Sequence, residues 1–186
     1  VRVDPLASVV GRYEAGDGGT QTLMLGSHID SVRNAGRFDG PLGVVTAIEV
    51  VKAAFKSGRR FPFAIEVIAF GDEEGARFAS TLGGSRALAG TFDEKALDEL
   101  DENAISRREA LTAFGCDPSR LAAEKRSPDR SIGYVEVHIE QGPVLEKEGL
   151  PLGIVTAIDG ITRGTVEVAG IAGHAGTVPM SMRNDA

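Results

Sequence analysis

Residues 22–70 read TLMLGSHIDSVRNAGRFDGPLGVVTAIEVVKAAFKSGRRFPFAIEVIAF, and their pattern indicates the fold class. Two apolar runs, TLMLGS at 22–27 and FAIEVIAF at 63–70, have the length and composition of buried strands. Between them, residues 41–56 carry apolar side chains at helical spacing, with Pro41 in the first turn and Gly58 as a stop. Strand, helix and strand with short connections predict a right-handed parallel crossover in an α/β domain.

The crossover brings two polar loops to one edge of the predicted sheet. Both strands end at the same edge, so the loops at 28–39 and 71–75 are expected to be neighbours. A third apolar run, IGYVEVHI at 132–139, predicts another strand that ends near His138. Open α/β sheets bind ligands at the carboxyl ends of their strands, so this edge is the expected site. Residues 85–124 read as polar helical segments with little chemistry.

The sequence pattern changes near Asp159. Residues 152–158 read as one more apolar strand, whereas residues 161–171 (ITRGTVEVAGI) alternate apolar and polar side chains as a half-exposed strand does. This change predicts a domain boundary, with a first domain at 1–158 and the beginning of a second at 159–186.

Composition narrows the function classes. The chain is 42% hydrophobic and 25% charged, as globular proteins are, and no apolar run approaches the ~18 residues of a membrane span. With no signal-like start, these features predict a cytoplasmic protein without a membrane partner. The net charge of −7 and the lack of Lys/Arg runs argue against nucleic-acid binding. Cys116 is the only cysteine, which excludes an intrachain disulfide.

The first candidate site residues are a histidine and an aspartate that follow the first strand. His28 and Asp30 are two apart, so on an extended strand their side chains share a face. A carboxylate there can accept the spare N–H of a metal-bound histidine. Taken alone, the pair is weak evidence for a metal site, because a surface histidine beside an aspartate explains it better.

Three carboxylates follow in the two loops. Asp39 lies in FDGPLG, where Gly40 and Pro41 force a tight turn that can hold a carboxylate or merely cap a helix. Glu73 and Glu74 are adjacent in GDEEG, and adjacent carboxylates repel unless cations or solvent intervene. One can bind a metal while the other takes a proton from water, or both can belong to a solvated acidic loop.

A metal site explains in one step why His28, Asp39, Glu74 and His138 all follow strands at one sheet edge. Mixed imidazole and carboxylate ligands suit Zn²⁺, Mn²⁺, Co²⁺ or Ni²⁺. A Ser–His–Asp triad is less well supported because the chain has no GxSxG motif. Neither GxxxxGK[ST] nor GxGxxG follows a strand, so a phosphate-binding loop is also unsupported.

The chain resembles the M20-type amidohydrolases of the N-carbamoyl-L-amino acid hydrolase and allantoate amidohydrolase group. Six ordered blocks within residues 23–186 carry this resemblance: GSHIDSV, GRFDGPLGVV, GDEEGARF, GSRALAG, HIEQGPVLE and GHAGTVPM. It implies a three-layer α/β/α zinc-peptidase-like catalytic domain with a mostly parallel mixed sheet, and then the start of a small α+β lid or dimerisation domain. It also implies a homodimer in the full-length protein.

The resemblance implies two divalent metal ions and a role for each candidate ligand. His28 and His138 would bind one ion, Asp39 would bridge both, and Glu74 would bind the second. The reaction implied is hydrolysis of a non-peptide C–N bond in an N-carbamoyl-L-amino acid or a ureido acid such as allantoate, by a metal-activated water.

Further roles come from the same resemblance. Glu73 would be the general base, and Asp30 would support His28. Gln141 would contact the small-molecule substrate. His174, in the GHAG block, would bind substrate and stabilise the oxyanion from the lid, often the lid of the partner subunit.

The sequence departs from the family pattern in two places. Ala35 replaces the first glycine of a pair, so the backbone there must avoid positive φ. A final histidine ligand and the first helices have no counterpart, so the chain is expected to be an internal fragment that is inactive by itself. In related enzymes the peptide bond after the bridging aspartate is cis, and the same geometry is expected between Asp39 and Gly40.

Two other functions stay open. One is an M20 metallopeptidase or aminoacylase that acts on dipeptides or N-acyl amino acids with the same metals and base. The other is a non-catalytic fragment or assembly module, which should bind no divalent cation near neutral pH.

Overall fold

A computed structural model describes residues 1–162 and 164–186. Its strands and helices are, in chain order, β1 (Arg2–Val3), β2 (Val9–Tyr13), β3 (Thr22–His28), α1 (Pro41–Lys56), β4 (Ala64–Phe70), α2 (Gly83–Ala89), α3 (Arg107–Phe114), β5 (Ser131–Val135) and α4 (Val144–Glu148). Short 3₁₀ helices occur at Glu94–Asp98, Pro118–Glu124, Pro128–Arg130 and Met180–Met182. No helix in these described ranges is both long and apolar enough to cross a membrane.

The five strands form one mixed sheet in the order β1-β2-β4-β3-β5. β3 pairs in parallel with β4 and β5, whereas β2 pairs antiparallel with β4 and with β1. The predicted parallel strand–helix–strand connection is confirmed, because α1 connects the parallel neighbours β3 and β4. β5 confirms the third predicted strand, although it ends at Val135, three residues before His138.

Helices cover both faces of the sheet. Ser27 and His28 are consecutive in β3, so their side chains point to opposite faces. On the Ser27 face lies α1, where a Cβ added to Gly43 would be 2.6 Å from the Ser27 Cβ. On the other face, Phe70 is paired with His28, and a Cβ added to Gly84 of α2 would be 3.1 Å from its ring. The predicted three-layer α/β/α architecture is confirmed.

Two buried apolar clusters hold these layers together. The first lies on the α2 face of the sheet and consists of Val10, Met24, Ile68 and Phe70, with Leu88 packed against it. The second joins the β1–β2 connection to the helical segments and consists of Leu6, Ala87, Leu97, Leu111 and Leu121. The segment predicted as helical at 85–124 is therefore anchored by its own apolar residues.

The chain divides into two compact units, Val1–Gln141 and Gly142–Ala186. The domain boundary expected after Ile158 differs from this division and stays a prediction. The second unit contains α4, the 3₁₀ turn Met180–Met182 and an isolated antiparallel bridge.

The strands predicted at 152–158 and 161–171 are absent from the described part of those ranges, and residue 163 lies outside it. The apolar side chains there are open to solvent, with Ile154 at 93% and Val166 at 87% exposure. Extended backbone becomes a strand only where a neighbouring strand satisfies its N–H and C=O groups. In the described part of these two ranges, only Ile171 finds such a partner, in a single bridge to Asn184.

One charged side chain is buried beside the sheet edge. Arg107 of α3 is 1% exposed. Its guanidinium donates to the Ser80 carbonyl at 3.0 Å and lies 3.2 Å from Asp72 and 3.3 Å from Glu99. It also lies over the Phe78 ring, 4.9 Å from the centroid. Arg107 therefore links α3 to both ends of the loop at 71–82.

Arg107→Met is expected to lower the free energy of unfolding by about 3–5 kcal/mol, because it leaves two partly buried carboxylates without their cation. Urea unfolding measures the change. The matched control is Arg108→Met in the same helix, where the arginine is 49% exposed and pairs with Asp98 at 3.3 Å. That change should cost less than about 1 kcal/mol. Equal costs for the two variants would show that the buried network does not stabilise the fold.

Candidate metal centre

Three of the predicted ligands converge at the edge of the sheet where β3 and β5 end. Ligand atoms of His28, Asp39 and His138 all lie within 4.8 Å of one another. The two Nε2 atoms are 3.4 Å apart, and His138 Nε2 is 3.3 Å from Asp39 Oδ1. His28 is the last residue of β3, and Asp39 directly precedes Gly40, the N-cap of α1. The parallel crossover thus supplies two of the three groups.

Backbone carbonyls orient both imidazole rings. His28 Nδ1 is 2.8 Å from the Asp30 carbonyl oxygen, and His138 Nδ1 is 2.9 Å from the Ile139 carbonyl oxygen. Because a carbonyl oxygen only accepts, each Nδ1 carries a hydrogen, and each Nε2 of a neutral ring carries a lone pair. Two Nε2 lone pairs and the Asp39 carboxylate therefore face a common centre as acceptors. Such a set is stabilised by a cation.

The Asp30 carboxylate does not make the contact expected from its spacing. Its nearest oxygen is 3.9 Å from His28 Nδ1, whereas the Asp30 backbone carbonyl is within hydrogen-bonding distance. The carboxylate instead accepts the Glu74 N–H at 2.9 Å. Asp30 thus supports His28 through its backbone and fixes the neighbouring acidic loop through its side chain.

The two adjacent glutamates have different surroundings. Glu74 Oε1 is 3.5 Å from His28 Nε2, next to the three converging residues. Glu73 is instead bonded to Ser85, whose N–H reaches Oε1 at 2.8 Å and whose hydroxyl reaches Oε2 at 2.6 Å. Burial raises the pKa of the Glu73 carboxyl above its usual value, although the Ser85 hydrogen bonds act in the opposite direction. A raised pKa suits a carboxylate that accepts a proton.

A tight turn at Gly40 places Asp39 beside His28. Gly40 has φ of 82°, and a Cβ added there would be 2.4 Å from His28 Nδ1, so only glycine fits. The expected cis bond between Asp39 and Gly40 is wrong, because the described chain contains no cis peptide bond. The turn is made by the positive φ of Gly40. At Ala35 the expectation is confirmed, since positive φ falls on its neighbours Asn34 and Gly36 instead.

The remaining predicted residues are Gln141 and His174. Gln141 Nε2 donates to Asp39 Oδ1 at 3.0 Å, so this amide orients a candidate ligand. His174 is exposed in the second unit, where its Nδ1 accepts the Gly176 N–H at 3.1 Å. The roles predicted for both residues in substrate binding stay predictions.

Sequence reasoning missed residues that support the site. Ser85 lies in the GSRALAG block, which marked the resemblance but suggested no contact with Glu73. Glu136 accepts hydrogen bonds from the Ser27 hydroxyl at 2.5 Å and the Tyr134 hydroxyl at 3.0 Å, two residues before His138. Strand alternation gave no signal for these contacts, because β5 ends at Val135, before Glu136.

Comparison with known proteins identifies the family of the chain. Residues 24–185 match the profile of the family described as Peptidase family M20/M25/M40. The chain belongs to this family. Within the M20 family, the resemblance to the carbamoyl-amino acid and allantoate group is also confirmed by the relatives of the chain.

The chain is 48% identical over 182 residues to the N-carbamoyl-L-amino acid amidohydrolase of Geobacillus stearothermophilus, covering 98% of the chain and 44% of the relative. It is 49% identical over 187 residues to the allantoate deiminase of Arabidopsis thaliana, covering 98% of the chain and 36% of the relative. A crystal structure of a hydantoinase/carbamoylase family amidase from Burkholderia ambifaria matches with a TM-score of 0.71 and 34% identity. The match covers 97% of the chain and 44% of the amidase. This M20 chain therefore spans less than half the length of these relatives.

Proposed function

We propose that the chain is the metal-binding part of an M20 amidohydrolase that hydrolyses a non-peptide C–N bond in an N-carbamoyl-L-amino acid or a ureido acid such as allantoate. The observation that carries the proposal is the convergence of acceptor atoms from His28, Asp39 and His138 on one centre. The amidohydrolase and deiminase relatives support the substrate class.

The donor set would hold two divalent ions of the Zn²⁺, Mn²⁺, Co²⁺ or Ni²⁺ type. Imidazole nitrogens and carboxylate oxygens are ligands that these ions accept. His28 and His138 would hold one ion, Asp39 would bridge both, and Glu74 would hold the other. When bound, such cations lower the pKa of water and stabilise negative charge on oxygen.

The residues of the chain would then divide the remaining work. Glu73 takes a proton from water and later delivers one to the leaving nitrogen. Gln141 keeps Asp39 in position through the 3.0 Å hydrogen bond, and Asp30 keeps Glu74 in place through its backbone N–H. In the full-length homodimer, His174 would stabilise the oxyanion. Attack on a carbamoyl group would release ammonia and carbon dioxide.

Parallel assays of the full-length protein, loaded with one divalent metal at a time, test the proposal. We expect a higher kcat/KM with N-carbamoyl-L-amino acids or allantoate than with dipeptides. Ammonia release measures the first two reactions. Cleavage of dipeptides alone would favour the metallopeptidase alternative. Absence of metal binding by calorimetry would favour the assembly module. For the 186-residue chain by itself we propose no turnover, because it spans less than half of its relatives, and measurable hydrolysis would contradict this.

A further inference from the structure

Ser85 is the polar side chain that holds Glu73. Its backbone N–H donates to Glu73 Oε1 at 2.8 Å, and its hydroxyl donates to Oε2 at 2.6 Å. The two donors act on different oxygens of one carboxylate. Each oxygen still has a second lone pair, so the carboxylate remains able to accept a proton from water.

The surrounding backbone makes Ser85 a fixed support. The Leu82 N–H donates to the Glu73 carbonyl at 2.8 Å, and the Gly83 N–H donates to the Asp72 carbonyl at 2.9 Å. These bonds close the loop and hold the start of α2 beside Glu73. At Gly84 an added Cβ would lie 2.6 Å from the Ser8 hydroxyl oxygen, so α2 is already packed tightly against the sheet.

We propose that Ser85 is a positioning residue that fixes the plane of the Glu73 carboxylate; this inference rests on the proposed function, in which Glu73 is the general base. The terminal torsion of a glutamate is soft, so a carboxylate held at one oxygen rotates easily. Donors on both oxygens remove that freedom. Proton transfer depends on such orientation, because the base must meet the water in one geometry.

Ser85→Ala and Ser85→Thr test the inference in the full-length, metal-loaded protein. Ser85→Ala removes the hydroxyl and keeps the backbone donor. We expect kcat to fall about 10- to 100-fold, the loss that follows removal of one hydrogen bond to a charged group. KM should stay within about twofold of wild type, and metal content should not change, because Ser85 contacts no candidate ligand. Ser85→Thr restores a hydroxyl and should recover most of kcat.

Ser119→Ala is the matched control. Ser119 also donates its N–H and its hydroxyl to one carboxylate, Asp117, at 3.1 and 2.6 Å, in a 3₁₀ helix that carries no candidate ligand. The kcat of the Ser119→Ala variant should equal that of wild type.

The outcomes separate the inference from the proposed function. An active wild type with an equally active Ser85→Ala variant would overturn the inference alone. Loss of metal from Ser85→Ala, or failure of Ser85→Thr to recover kcat, would also overturn it, since the hydroxyl would then serve the structure of the site. A wild type that hydrolyses neither carbamoyl nor ureido substrates would overturn the proposed function; if it cleaved no dipeptide either, the inference would be overturned with it.

Discussion

Glu73→Gln in the full-length protein is expected to lower turnover by roughly 10² to 10⁴ and to leave the metal content unchanged. The glutamine amide cannot take a proton from water, although its shape is nearly that of glutamate. Its carbonyl oxygen can still accept one hydrogen bond from Ser85, so the loop should keep its conformation. Steady-state kinetics and elemental analysis of the same preparation measure both effects.

Glu109→Gln is the matched control for this variant. Glu109 also accepts the backbone N–H and the hydroxyl of a serine, Ser106, at 2.9 and 2.7 Å, but in the capping box of α3. Its turnover should stay within about twofold of wild type. Should Glu73→Gln retain wild-type turnover as well, the general base would have to be another group.

The central fold was predictable because its signals are local. Apolar runs, helical spacing and Pro41 are all contained in residues 22–70, and β3, α1 and β4 follow them closely. The pairing of β2 with β4 was not predictable, since antiparallel pairing between distant segments leaves no local mark in the sequence. Alternation at 161–171 predicted a strand that the structure does not contain. Such alternation indicates a preference for one buried face, but it does not supply the neighbouring strand that a sheet requires.

The convergence of the candidate ligands was predictable to the extent that chemistry is carried by side-chain type. His28 and His138 follow apolar runs, and Asp39 precedes a helix, so strand and helix ends bring them together. The groups that orient these ligands were not predictable in the same way. Both histidines are held by backbone carbonyls, which every residue possesses. The bond between Ser85 and Glu73 depends on how the chain folds back over a separation of 12 positions. The wrong expectation of a cis bond between Asp39 and Gly40 came from the resemblance, and no physical signal in this chain supported it.

Glu74→Gln is expected to lower metal content, and activity with it. Glu74 Oε1 lies 3.5 Å from His28 Nε2, beside the centre that the acceptors face. An amide oxygen is neutral and binds a divalent cation more weakly than a carboxylate does. The Glu74 N–H remains bound to Asp30, so the substitution changes the ligand charge without releasing the loop. Loss of a residue that hydrogen-bonds to a metal ligand lowers metal affinity roughly 10- to 100-fold. Because Glu74 is proposed as a ligand itself, its substitution should lower the affinity by more than this.

The two glutamine variants together decide the roles of the adjacent glutamates. Metal per chain after dialysis and the affinity from calorimetry are measured for both proteins, alongside turnover at saturating metal. With the proposed assignment, excess metal partly restores the turnover of Glu74→Gln but does not restore that of Glu73→Gln, because only Glu74→Gln is defective in metal binding. If Glu73→Gln lost metal and Glu74→Gln retained it, the two roles would be exchanged, and the bonds of Ser85 would then position a metal ligand.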